Sequence, residues 1–204
     1  MSPTTRAVLE SEMKKLQQSE GGMQIESGRL IMRKFCCDDW KDLYEYLSNE
    51  DVVRYEPYDV FSEEDCKIEA ARRSSDKAFW AVCLKESSKL IGNVYFSRQE
   101  PEEFSNWEIG YVFNSRYCGN GYASESCRAI INYGFEKLQV RRVVAMCNPE
   151  NTRSWKLLER LKMRREGHLR KNIYFKRDEK GEPIWSDTYE YAILADEWFE
   201  IWDR

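Results

Sequence analysis

Two spacings of apolar residues alternate along the chain, and together they predict its elements. A run at Leu30-Ile31-Met32-Arg33-Lys34-Phe35 reads as a first strand. Asp38 can cap the helix that follows, where Trp40, Leu43, Tyr44 and Leu47 recur at helical spacing. Asn49 to Phe61 is loop-like, and Ser62-Glu63-Glu64-Asp65 resembles a capping box that opens a second helix to about Arg73. Ala78 to Leu84, Leu90 to Phe96 and Trp107 to Phe113 then form three strands joined by short polar turns, an antiparallel meander. Helical spacing returns from Ala123 to Leu138, with Cys127, Ile130, Ile131, Phe135 and Leu138 inward.

Arg142 to Cys147 is short and mostly apolar, as a strand buried on both faces would be. A helix separates it from the Trp107 strand, so a right-handed crossover makes those two strands parallel. Asn151-Thr152 opens the next helix, with Trp155, Leu158 and Leu161 on its core face. Arg165 to Phe175 and Trp185 to Leu194 form a final hairpin, and Ala195 to Trp202 a closing helix. The order β-α-α-β-β-β-α-β-α-β-β predicts an α+β fold: a mixed central sheet of about seven strands with flanking helices and one parallel crossover near its middle. Residues 1–27 are polar, contain Gly21-Gly22, and read as a mobile extension ahead of one domain over 28–204.

Composition narrows the classes. A chain of 204 residues, 42% apolar and 33% charged, suits one soluble domain with a sizeable core. No apolar run approaches the roughly 18 residues needed to span a bilayer. Net charge of −4 provides no basic footprint for nucleic acid. Seven cysteines without CxxC pairs, and a single histidine, argue against a disulfide framework and against a metal site. They read as reduced thiols of a cytoplasmic protein.

Candidate chemistry is concentrated between Trp107 and Arg128. A β-prone run ends at Asn114-Ser115, Gly119 and Gly121 follow, and a helical pattern begins near Tyr122-Ala123. A glycine loop that enters a helix start directs unpaired N–H groups and partial positive charge at an anion such as a pyrophosphate. It is also an ordinary way to turn from strand to helix. Tyr122-Ala123 stands where a Walker loop needs Lys-Ser/Thr, and Ser124 where a dinucleotide fingerprint needs a third glycine. Further on, Asn148-Pro149-Glu150-Asn151 is a strand exit with a helix cap.

Cys118-Gly119-Asn120-Gly121-Tyr122-Ala123 resembles the acyl-CoA loop of the GNAT acetyltransferases, Arg/Gln-x-x-Gly-x-Gly/Ala, with Gly121 and Ala123 in register and Cys118 departing from the first position. A match through Arg116, Gly119 and Gly121 leaves the helix start two residues out of register. The opening Arg29-Leu30-Ile31-Met32-Arg33, Glu108-Ile109-Gly110-Tyr111 and Arg165 to Arg170 look like the RimJ/RimL-type branch, so the resemblance spans about Arg29 to Trp202. It implies a GNAT-like fold and transfer of an acetyl group from acetyl-CoA to a primary amine, on a protein N-terminus or a small molecule. Direct attack in a ternary complex is the implied route, and the chain would act as a monomer or a homodimer.

The resemblance also implies site residues. Tyr111, Val112, Phe113, Cys118, Gly119, Asn120, Gly121, Tyr122, Ala123 and Ser124 would hold the cofactor, together with Asn151 on the pantetheine arm and Ser154 beside the thiol. The Tyr that many relatives carry seven residues after that Asn is Leu158 here, which leaves Ser154 as the nearest hydroxyl. Glu108 is the first candidate for the base and Glu56 the second; Tyr55, Glu56, Tyr58 and Trp80 form the expected acceptor side. His168 reads as a turn or half-exposed residue rather than a base. A GNAT-shaped module that senses an acyl-CoA or a peptide without turnover is the alternative.

Overall fold

The structure, a computed structural model, describes residues 23–202. Eight strands form one sheet in the order β1-β2-β3-β4-β5-β6-β8-β7. They are β1 (Ile25–Glu26), β2 (Leu30–Arg33), β3 (Phe79–Leu84), β4 (Leu90–Arg98), β5 (Asn106–Phe113), β6 (Arg142–Cys147), β7 (Arg164–Arg177) and β8 (Pro183–Leu194). All neighbours are antiparallel except β5 and β6, the parallel pair expected from the crossover. The eighth strand is β1, which falls in the stretch read from sequence as extension. Ile25 and Glu26 pair with Met32 and Ile31, and two residues are too few to display a period. Residues 1–22 of that expected extension lie outside the described residues.

Helices cover both faces. On one face α1 (Trp40–Leu47), α2 (Glu50–Val53) and α3 (Glu63–Ser75) pack through Leu43, Tyr46, Leu47, Val53, Cys66 and Ala70 against Ala81, Cys83, Leu90 and Val112 of the sheet. On the other, α4 (Tyr122–Lys137), α5 (Thr152–Arg160) and α6 (Ala195–Trp202) pack against Trp80, Val82, Ile91, Phe96, Ile109, Val143 and Ile193. Alternation along β3 explains the split, since Trp80 and Val82 face α4 while Ala81 and Cys83 face α1.

Three sequence readings change here. In α1 the buried tyrosine is Tyr46, and Tyr44 is exposed; the inward stripe follows Leu43, Tyr46 and Leu47. Leu138, expected inward, caps α4 and stays exposed. The segment read as loop contains α2, started by Asn49, whose side chain accepts the Asp51 N–H at 2.9 Å. That short helix fixes the direction in which residues 54–58 leave the helical layer on this face of the sheet.

Candidate active site

The parallel pair β5–β6 forks. Their ladder runs from Asn106 opposite Arg142 to Glu108 opposite Val144, and there it ends. Beyond it β5 stays on β4, with Tyr111, Val112 and Phe113 opposite Val94, Asn93 and Gly92. β6 stays on β8, with Met146 and Cys147 opposite Glu190 and Tyr189. A wedge therefore opens between Ile109–Phe113 and Ala145–Cys147, along backbone that would otherwise pair across it. A cavity of about 830 Å³ occupies this wedge and its mouth. That is within the range of about 300–1,000 Å³ usual for small-molecule sites.

One end of the wedge is the glycine loop. Gly119 and Gly121 both have positive φ, +85° and +80°, and at Gly119 a Cβ would meet nothing within 4 Å. Gly121 is the N-cap of α4, and the Glu125 N–H is bonded to the Gly121 carbonyl at 3.0 Å. The N–H groups of Tyr122, Ala123 and Ser124 precede that first turn and have no intrahelical acceptor. Asn120 holds the loop by donating from Nδ2 to the Tyr117 carbonyl at 3.2 Å. Two arginines approach the same helix start. Arg29 is anchored to Glu125 (2.7 Å), its guanidinium lies 4.6 Å above the Tyr122 ring, and Arg160 donates to Ser124 Oγ at 3.3 Å. Cys118, at the departing motif position, is exposed and lines the cavity.

The opposite wall is the start of α5. Asn151 is its N-cap, with its side-chain oxygen accepting the Ser154 N–H at 3.2 Å. Ser154 Oγ lies 2.9 Å from the Tyr111 hydroxyl, so the β5 side and the α5 side of the wedge touch through two hydroxyls. Cys147 also lines this wall; burial pushes its thiol up to about 11, against a smaller opposing effect of Ser154. Leu158 is fully buried in the core, away from the wedge.

The acceptor side is the mouth. Tyr55, Glu56, Asp51 and Arg54 reach it from α2 and the turn after it, and Glu108 lines it at the fork. Gln99 Nε2 donates to the Glu108 carboxylate. Glu56 is the perturbed carboxyl: burial raises it to about 7, and the nearby Arg73 guanidinium and Tyr58 hydroxyl only partly oppose this. Arg73 is itself 2% exposed, donating to Asn93 Oδ1 at 2.9 Å and to Glu69 at 2.7 Å. Tyr58 lies outside the cavity lining, in range of both Glu56 and Arg73.

Trp80, expected on the acceptor side, is 3% exposed and sits under α4, edge-on to Tyr133 at 5.8 Å between ring centroids. It does not line the cavity, because β3 alternation turns it to the face opposite residues 54–58. The residues that sequence reasoning missed come chiefly from the β7–β8 ribbon: Asn172, Phe175, Asp187 and Thr188 complete the mouth. No spacing could have flagged them. His168 is on β7, bonded through Nε2 to Asp187 at 2.7 Å, so it touches the site only through that carboxylate. Arg73 did leave a signal, since Cys66, Ala70 and Arg73 share one helix face at i, i+4 and i+7.

Comparison with known proteins agrees with this geometry. Residues 29–164 match the model of the acetyltransferase (GNAT) domain family. An uncharacterized N-acetyltransferase of Bacillus subtilis, YnaD, is 41% identical over 177 residues, 86% of this chain and 99% of that protein. The [ribosomal protein uS5]-alanine N-acetyltransferase of Escherichia coli is 27% identical over 188 residues, 86% of this chain and 93% of that protein. Among solved structures, a GNAT-family acetyltransferase from Bacillus anthracis superposes with a TM-score of 0.78 at 38% identity, covering 86% of this chain and all of that one. With a matched model over most of its length and a forked parallel pair ending in a glycine-capped helix, this chain belongs to the GNAT acetyltransferases, in their RimJ/RimL-like branch.

Proposed function

We propose that the protein transfers the acetyl group of acetyl-CoA to a primary amine by direct attack in a ternary complex. The fork carries this reading. It is an edge of backbone beside a slot, with free helix N–H groups at one end and carboxylates at the other. Tyr122, Ala123 and Ser124 would receive the pyrophosphate on their N–H groups, with Gly119 and Gly121 allowing close approach and Asn120 bracing the loop. Cys118 flanks that loop without supplying the cation of the usual motif, and Arg29 and Arg160 bring positive charge to the same helix start instead. The pantetheine arm would lie along Tyr111, Val112 and Phe113 toward Asn151 and Ser154.

Chemistry at the mouth then needs a proton acceptor. Sequence position favours Glu108, at the apex of the fork. A specific observation favours Glu56: a carboxyl raised to about 7 is the stronger base, and it is matched to work near neutral pH. We assign the amine proton to Glu56, and to Glu108 the attraction of the incoming ammonium. Tyr55 lines the mouth beside Glu56 and Tyr58 stands behind it. A peptide N-terminus is the acceptor we favour, the class named for the E. coli relative. Seven free thiols fit a reducing, cytoplasmic setting.

Thermal unfolding with acetyl-CoA and with CoA tests the cofactor, since a ligand bound only to the folded state must raise the melting temperature. Gly121→Asp, which sets a carboxylate against the pyrophosphate, should abolish the rise. No shift at millimolar ligand overturns the reading. Thiol release with a panel of peptides and small amines tests turnover. Binding without release from any acceptor would favour a sensor.

A further inference from the structure

Tyr111 lines the wedge from β5, and its hydroxyl reaches across to the α5 wall. It lies 2.9 Å from Ser154 Oγ and 3.0 Å from the Ser154 carbonyl oxygen, bridging the two walls of the wedge. The residue is half-buried, and the desolvation of its phenol drives the pKa well above the ordinary value, so it stays protonated through any working pH. One proton thus has two acceptors within reach, about equally distant. When the phenol donates to the carbonyl, the Ser154 hydroxyl can donate back to the phenol oxygen. When the phenol donates to Ser154 Oγ, the Ser154 proton is released to face the wedge. Switching between the two needs only rotation of hydroxyl hydrogens, with no movement of heavy atoms. The Cys147 thiol, the other polar group beside Ser154, is held protonated by burial and does not compete as an anion.

We propose that Tyr111 is a positioning residue for acetyl transfer: it holds the Ser154 hydroxyl so that its proton turns to the leaving sulfur as the thioester opens. This rests on the acetyl-transfer reading above. In that step the amine nitrogen forms the C–N bond and the C–S bond breaks. The sulfur leaves with the bonding electron pair, and the proton lost by the amine passes to Glu56. Ser154 gives the developing thiolate a hydrogen bond, while Tyr111 donates to Ser154 Oγ. The thiolate takes its proton from solvent after release, so neither hydroxyl ionises. The pair thereby does the task for which Leu158 has no hydroxyl.

Tyr111→Phe removes one oxygen and keeps the ring. Steady-state thiol release should fall about tenfold in kcat, with the KM for acetyl-CoA within about twofold, because the contact matters when charge develops on sulfur. Ser154→Ala should lose a similar factor, Ser154→Thr should retain most of the rate, and Tyr111→Phe added to Ser154→Ala should cost nothing more. A wild-type kcat in Tyr111→Phe overturns the proposal, as does an equal loss in the Ser154→Ala background. Should Tyr111→Phe melt below the assay temperature, the Ser154 pair decides, and equal rates for Ala and Thr overturn it. A wild type that binds acetyl-CoA but releases no thiol with any acceptor overturns instead the reading on which the proposal rests.

Discussion

Glu56→Gln is the perturbation that separates a tuned base from an ordinary surface carboxylate, and its effect on stability is as informative as its effect on rate. Raising a carboxyl from 4.5 to about 7 makes its charged form about 3 kcal/mol costlier in the folded protein than in the unfolded chain. The sign follows from proton binding. Between pH 4.5 and 7 the folded protein holds a proton that the unfolded chain has released, so stability falls as pH rises through that window. Below 4.5 both states are protonated and nothing is lost; above about 7 the loss is complete. Glutamine keeps the shape without the charge and should escape the loss. Water at the cavity mouth screens part of it, so roughly half, about 1.5 kcal/mol, is a sound lower figure.

At pH 8.5 Glu56→Gln should therefore melt above the wild type by about 3–12 °C, taking roughly 2–4 °C per kcal/mol for a chain of this size. At pH 4.5 or below, the two should nearly coincide. Thermal unfolding across that pH range is the assay, with thiol release measured on the same preparations. The variant should lose about 10²–10⁴-fold in rate, together with the acidic limb of the pH–rate profile. More stable and less active is the combination expected where a site holds a charge at the fold's expense. A stability difference that does not change with pH would refute the reasoning. So would a variant less stable than wild type at pH 8.5, because the attraction of Arg73 would then outweigh burial and leave Glu56 as a simple ion-pair partner.

Two further outcomes follow from burial. Trp80→Ala should destabilise by about 3–5 kcal/mol, as large truncations in a core do; Trp80→Phe, if folded, should leave the KM of the acceptor unchanged, as steady-state kinetics over a range of acceptor concentration would establish. Iodoacetamide should alkylate the exposed Cys118 and not the buried Cys147, and acetyl-CoA should shield Cys118. Peptide mass spectrometry reads both, and equal labelling of Cys118 with and without acetyl-CoA would contradict the loop register.

Legibility in the sequence followed the range of the forces involved. The β5–α4–β6–α5 unit was readable because each part is set by near neighbours: strand alternation, a helix cap, two glycines whose positive φ the turn requires. β1 was not, since its two residues are held by partners elsewhere in the chain, Met32 and Ile31 across the sheet and Lys85 beside Glu26. Assigning Trp80 to the acceptor side failed for a related reason. Phe79 to Leu84 is apolar at every position, so alternation could not say which side chains face α4 and which face α1; only packing decides that. The carboxylates divide in the same way. Glu108 was a candidate from its place in the strand, a local property. Glu56 took its character from burial by groups distant in sequence, opposed in part by the Arg73 guanidinium that Asn93 and Glu69 hold behind residues 54–58. A motif can name the slot that receives a cofactor, because a pyrophosphate is read by backbone. The acidity of a base is fixed by what is packed around it, and so it becomes visible only when α2, α3 and β4 are brought together.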